Sequence, residues 1–321
     1  MKKLLLCSLL AACLIFTGCQ NTKDSSNTNE NKDTTQTTTQ PQEEKKTVTV
    51  TTSFLYDMVN QLAGDLVNRE LIIPAGSDPH IYEPKPSDLD KLNKADLVLY
   101  HGLHFEGKMI EVLESKGKSV SANFPKEKIG EMEEDGQVEI DPHFWFDISL
   151  YKLATEEASK QLEELLPESK DVIKANLEKY LAELDKLDQE NKTALDQISK
   201  DNRFLVTPHD AFNYFSRCYN IEVVAPQGVS TDSEVANKDI EDTAKFIADH
   251  KIKAIFAEST TSPERMKKLQ EVVKSFGHDV KVVSGEGHEL FSDSLAPEGE
   301  DGDTFIDMYR HNVKLIVDNL K

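Results

Sequence analysis

The chain has 321 residues, enough for two domains with proper cores, and 30% of them are charged, for a formal net charge of −21. That balance excludes nucleic acid, whose phosphates would be repelled, and favours cationic ligands or plain solubility. Aromatics are 7% with a single Trp, thin for a groove that stacks sugar rings.

Residues 1–18 read as a secretory leader. Lys2 and Lys3 are the basic start, and Leu4 to Phe16 is an apolar run of 13 residues, too short to span a bilayer. Thr17-Gly18-Cys19 ends it with small residues before a cysteine, resembling a bacterial lipobox, with Phe16 where a Leu is usual. Leu10-Ala11-Ala12-Cys13 matches that box better but would leave an apolar region of only about six residues, so Cys19 is the expected lipidation site. Cys218 is then the one cysteine of the mature body, and no internal disulfide is expected.

Residues 19–46 hold Asn, Thr, Gln, Ser and charge with nothing apolar to bury, the composition of a disordered tether. Thr47 to Thr52 alternates as a strand does, and an N-terminal lobe is expected over 47–166. In it follow a helix from Phe54 to Leu66, a strand Glu70 to Ile73, a Pro- and Asp-rich loop Pro74 to Pro86, and a helix near Ser87 to Lys94. A buried strand Leu97 to Tyr100 and a helix Lys108 to Lys116 come next. The acidic, weakly patterned stretch Glu127 to Glu139 reads as surface loop, and a helix is expected from about Ser149 to Leu165.

The region 167–200 then reads as one long helix. Ile173, Leu177, Tyr180, Leu184 and Leu187 fall at steps of four and three, Ala194, Leu195 and Ile198 continue the stripe, and Pro167 suits a first turn. About 32 residues at ~1.5 Å each would span roughly 48 Å, longer than a small domain is wide, which suggests a rigid strut. Beyond it the alternation resumes in a C-terminal lobe, 201–321. Strands are expected at Phe204 to Val206, Ile221 to Val224, Ala254 to Ala257 and Val280 to Val283. Helices are expected at Ala211 to Tyr219, Lys238 to His250, Ser262 to Phe276 and Thr304 to Leu320. The fold class is α/β: two lobes, each a parallel sheet flanked by helices, joined by one long rigid α-helix.

Three histidines stand out. His80 lies in Ser77-Asp78-Pro79-His80, His143 in Asp141-Pro142-His143, and His209 in Thr207-Pro208-His209-Asp210. Each follows a proline in a loop, so stiff backbone presents each imidazole, and the carboxyl ends of parallel strands are where binding crevices form. Neutral imidazole is the commonest protein metal ligand, and three His with a carboxylate suit Zn²⁺ or Mn²⁺ better than Ca²⁺ or Mg²⁺. Protons would compete with the metal as pH falls through ~6.5, the ordinary histidine value. Ligands so far apart in sequence require both lobes to meet around one ion.

Further motifs make the resemblance specific: His80-Ile-Tyr-Glu-Pro-Lys-Pro-Ser-Asp88, His101-Gly-Leu-His-Phe-Glu106, Asp141-Pro-His-Phe-Trp145, Pro208-His-Asp-Ala-Phe-Asn-Tyr-Phe215, Gln227-Gly-Val-Ser-Thr-Asp-Ser233, Phe256-Ala-Glu258 and Leu290-Phe-Ser-Asp-Ser-Leu295. From about Thr47 to Lys321 the chain resembles the metal-binding lipoproteins that serve as substrate receptors of zinc, manganese or iron ABC importers. The resemblance implies ligands at His80, His143 and His209 and places the fourth at Asp293; pattern alone leaves Asp301 and Asp303 as rivals. It implies one Zn²⁺ or Mn²⁺ per chain as transported cargo, a permease and an ATPase as partners, and a monomer held by its lipid anchor on the extracytoplasmic face of the cell membrane. Glu258, at the end of a buried strand, is expected either to hold a ligand histidine through its distal nitrogen or to be paired structurally. His101 and His104 are read as structural, Glu106 as capping or bracing their loop, His288 as a nearby competitor that either backs a ligand or is exposed, and His250, His278 and His311 as solvated.

Two features bear on the metal and pull opposite ways. Zinc receptors of this kind often carry a His-rich acidic loop between the first two ligands, and this chain has acid there without His. Manganese receptors often have Glu where His209 stands. Two other functions compete with capture: a surface zinc hydrolase using Glu258 or Asp210 as base, which lacks an accompanying nucleophile or base motif, and an adhesin working through the acidic exterior.

Overall fold

The computed structural model describes residues 44–134 and 137–321. The leader, Cys19 and nearly all of the expected tether lie outside the described residues. Glu44 to Lys46 belong to the folded body: the amide of Asn68 donates to Lys46 O and the Lys46 ammonium pairs with Asp96.

The N-terminal half is built on β1 (Thr47–Val50), with β2 (Asn68–Leu71) on one side and β3 (Leu97–Tyr100) then β4 (Lys118–Ser119) on the other, all parallel in the order β2-β1-β3-β4. Helices α1 (Ser53–Ala63), α2 (Pro86–Lys94) and α3 (Ile110–Lys116) make the crossovers that parallel strands require. After β1 the chain steps to β2 on one side and later to β3 on the other, so a crevice opens between the carboxyl ends of β1 and β3. Side chains fill it: His101 Nε2 meets the Thr52 hydroxyl at 2.7 Å, and Glu106 accepts the Thr51 hydroxyl and the His101 and Gly102 amides. Glu106 thus braces its loop, as expected from sequence, and burial pushes its carboxyl up to about 7.

One expected loop is instead a sheet. The stretch read as loop, 127–139, forms an antiparallel hairpin of β5 (Gly130–Glu134) and β6 (Gln137–Asp141). Asp135-Gly136, the dipeptide most favoured in two-residue hairpin connections, stands between the strands in sequence; the acidic composition had masked it. The Tyr214 hydroxyl pins the hairpin's base, accepting from Gly130 N and donating to Asp141 O.

Helices α4 (Ile148–Leu165) and α5 (Lys170–Leu195) follow. The long helix is shorter than expected: 26 residues, or about 39 Å, begun by a 3₁₀ turn over Pro167–Ser169. Arg203 ties down the chain at its end, its guanidinium donating to the carbonyls of Leu195 and Ile198.

The C-terminal half repeats the plan. Strand β7 (Phe204–Val206) pairs in parallel with β8 (Glu222–Val224), β9 (Ala254–Phe256) pairs in parallel with β10 (Lys281–Val283), and β7 lies beside β9. Helices α6 (Asn213–Tyr219), α7 (Asn237–Asp249), α8 (Glu264–Ser275) and α9 (Phe305–Leu320) surround them.

The long helix is a spine, not a bare strut. It packs on α1 and α4 from one half and on α9 from the other, burying Ile173, Tyr180, Leu184, Leu187, Asn191 and Leu195. The resulting apolar cluster is continuous from Val48 and Phe54 through Trp145 and Leu187 to Phe212, Phe256 and Tyr309. Hydrogen bonds cross it, among them Tyr309 Oη to Phe146 O at 2.8 Å and Phe305 N to the Asp57 carboxylate at 2.9 Å. Prising the halves apart would expose this shared core at roughly 1.5–3 kcal/mol per large apolar side chain. Among the described residues no helix is long and apolar enough to cross a membrane.

Candidate metal centre

Four side chains converge where the two halves meet. His80 follows β2, His143 follows β6, His209 follows β7 and Asp293 follows β10. One ligand atom from each of the four lies within 4.8 Å of all the others. His143, His209 and Asp293 are fully buried and His80 is 5% exposed. His80 Nε2 lies 3.3 Å from His143 Nε2; the Asp293 oxygens lie 3.3 Å from His143 Nε2 and 3.2 Å from His209 Nε2.

Those spacings have a simple meaning. Donors ~2.1 Å from one ion at tetrahedral positions are ~3.4 Å apart. Moreover, His209 Nε2 and both Asp293 oxygens are buried and have no hydrogen bond, although nitrogen and oxygen are close. Buried polar atoms normally find partners. Here they point at a common centre instead of at each other, as donors to a cation do. The four residues fit a first-row transition metal.

The backs of two rings are held. His143 Nδ1–H donates to Asp141 at 2.8 Å and His209 Nδ1–H to Glu258 at 2.6 Å, so both rings turn Nε2 towards the centre. Glu258 thus holds His209 through its distal nitrogen. Its position is a topological one: His209 and Glu258 follow β7 and β9, the neighbours between which the strand order reverses.

Electrostatics follow from burial and from the carboxylates. Burial holds His80 down to about 3, so its imidazole is neutral. Burial also opposes charge on His143, but Asp141 and Asp293 overcome it and bring the ring up to about 9. His209 is raised well above the ordinary value in the same way, by Glu258 and Asp293 against burial. Burial works against the Asp293 carboxylate too, yet the two flanking imidazoles hold it well below the usual range. This moves proton competition upward from the ~6.5 window expected of ordinary histidines.

Other expectations resolve as follows. His101 is buried among Phe54, Phe105, Phe144 and Trp145, a structural residue. His104 is exposed beside the mouth of the site, and His288 is exposed with Nδ1 on Glu286 O. Of the three histidines read as solvated, only His250 is exposed; His278 and His311 are half-buried, each on a backbone carbonyl.

Apart from Glu258, sequence reasoning missed the groups that aim the candidate ligands. Asp141 is one, and its signal was position: an Asp two residues before a His can accept that residue's amide, as Asp141 does at 2.9 Å. The Asp293 loop is held by the opposite half, with Trp145 Nε1 donating to Ser292 O, Leu295 N to Ser53 Oγ and Gly76 N to Ser294 Oγ. No local pattern announces such contacts.

Two α/β halves on one spine, enclosing a nitrogen-rich site of buried ligands, define a class of metal-binding proteins. The profile of the zinc-uptake complex component A, periplasmic (ZnuA) matches residues 48–319, and the chain belongs to this family. Among relatives, the manganese-binding lipoprotein MntA of Bacillus subtilis (strain 168) is 36% identical over 279 residues, covering 85% of this chain and 89% of that protein. The zinc-binding protein TroA of Treponema pallidum (strain Nichols) is 37% identical over 275 residues, covering 84% and 87%. A TroA structure concerned with metal-binding specificity superposes with a TM-score of 0.86 at 63% identity, covering 87% of this chain and all of that one. The periplasmic zinc-binding protein TroA from Treponema pallidum gives 0.82 at 36% identity, covering 86% and 99%.

Proposed function

We propose that the chain is an extracytoplasmic receptor that captures one Zn²⁺ or Mn²⁺ through His80, His143, His209 and Asp293 and delivers it to the permease and ATPase of a metal ABC importer. The observation that carries this reading is the convergence of four buried ligand atoms from both halves within 4.8 Å. The family membership supports it, as do relatives named for manganese and for zinc. Cysteine-anchored attachment through Cys19, a leader over 1–18, a tether over 19–46, and a monomer of lobes 47–166 and 201–321 about a linking helix complete the proposal. Relatives named as lipoproteins support the anchor.

The division of labour is clear in the residues. Asp141 and Glu258 fix two imidazole tautomers so that Nε2 lone pairs face the ion, and Asp293 supplies the anionic donor with an oxygen towards each of those rings. Three nitrogens and one carboxylate bind zinc more tightly than manganese at equal supply. Capture fits better than hydrolysis, because a hydrolytic centre keeps a position open to water and substrate. His80 borders a cavity of about 390 Å³. The test is native mass spectrometry of purified protein after zinc or manganese loading. One ion per chain, lost in His209→Ala and in Asp293→Ala, is expected; full retention in either variant would refute the shared site.

A further inference from the structure

The tripeptide Asp-Pro-His occurs at 78–80 and at 141–143. In both copies an Asp oxygen accepts the histidine's own amide, at 3.0 Å in the first and 2.9 Å in the second. They differ in what else the carboxylate holds. The Asp141 oxygen also takes the ring of His143. The second oxygen of Asp78 instead crosses to the C-terminal half and accepts the Thr231 hydroxyl at 2.6 Å. Among the described residues no carboxylate holds the ring of His80, whose hydrogen-bonding neighbour is His143 Nε2.

His80 is therefore aimed through its backbone. On one side its carbonyl is packed so closely on Gly107 that a Cβ there would lie 2.3 Å from His80 O. On another its amide is tied to Asp78, and Asp78 to Thr231. Thr231 is itself firmly placed: it is buried, its carbonyl accepts from Gln227 Nε2, and Arg265 donates to Gln227 Oε1 at 2.5 Å. His80 is also the ligand that borders the cavity, with Leu103, Val229 and Ser230 around it. The tie thus spans the two halves at an edge of the site that reaches a cavity.

We propose that Asp78 and Thr231 form a latch between the halves, and that these positioning residues set how long the metal stays bound by keeping His80 aimed at it. The latch does for His80 what Asp141 and Glu258 do for the other two rings, with the difference that it can be opened from the C-terminal half. Loss of such an orienting contact lowers metal affinity roughly ten- to hundredfold at characterised sites.

The inference rests on the receptor reading, and two measurements separate them. In stopped-flow chelator competition on zinc-loaded protein, Thr231→Val, which keeps the shape and removes the hydroxyl, should release zinc roughly ten- to hundredfold faster with an association rate within about twofold of the parent. Thr231→Ser, which restores the hydroxyl, should return release to within about threefold. Unchanged release in Thr231→Val, or equally fast release in Thr231→Ser, would overturn the latch. In metal-free protein, hydrogen exchange at the His80 amide should quicken in Thr231→Val, since its acceptor Asp78 loses its anchor; unaltered exchange would overturn the latch even if the chain proved to bind no metal. Failure to load zinc in the parent protein would instead refute the receptor reading.

Discussion

Metal uptake should expel about two protons at pH 7.5. In the metal-free site His143 is brought up to about 9 and His209 is raised well above the ordinary value, so both rings are protonated there, while His80 is neutral and Asp293 ionised. Two imidazolium rings and one carboxylate give the four groups a charge of about +1. A divalent ion with three neutral rings and the same carboxylate gives about +1 again, so the ion replaces two protons without changing the buried charge. The sign follows from the raised values: each proton's stabilisation is fully present below ~6.5 and is lost as pH rises through about 9 for His143 and through the raised value of His209. Affinity should therefore climb roughly hundredfold per pH unit across the neutral range, or about 2.7 kcal/mol per unit. Rings with ordinary values would change affinity less than about twofold between pH 7.5 and 8.5. Titration calorimetry of zinc into metal-free protein, in buffers of different ionisation enthalpy, counts the protons directly. Fewer than about half a proton per zinc at pH 7.5 would refute this electrostatic account.

Three further outcomes are expected. Asp293→Ala should abolish the metal-induced rise in Tm, which corresponds to about 4 kcal/mol at a thousandfold excess over Kd, and should also lower metal-free stability at pH 7 by about 3 kcal/mol, because two buried imidazolium rings lose the carboxylate they share and keep only Asp141 and Glu258; His80→Ala should lose most of the metal effect with little change in the metal-free protein, and scanning calorimetry distinguishes the two. Burial pushes the Asp57 carboxyl up to about 6, so its contribution is present below ~3.8 and lost as pH rises through about 6; Asp57→Asn should remove about 2–3 kcal/mol of the parent's stability difference between pH 4 and 7, read from urea midpoints. Cys19→Ala should release the protein from membranes in fractionated cells, whereas retention with loss only in Cys13→Ala would move the anchor to Cys13.

Sequence by itself determined the alternation of strand and helix, the long amphipathic helix and the three Pro-His loops, because each depends on neighbours within a few residues. Period, capping and proline stiffness are local properties, and local chemistry is written locally. The fourth candidate ligand was different: Asp293 gains its place from Trp145, Ser53 and Gly76, which hold its loop from the opposite half. The hairpin over 130–141 was legible in Asp135-Gly136 but hidden by its acidic composition. Tertiary structure alone decided the proton affinities and the latch. Folding raises the proton affinity of His143 and His209, because Asp141, Glu258 and the shared Asp293 outweigh burial, and lowers that of His80, where burial prevails. A burial cost and a carboxylate 3.2 Å away act through space, and spacing along the chain carries no trace of either.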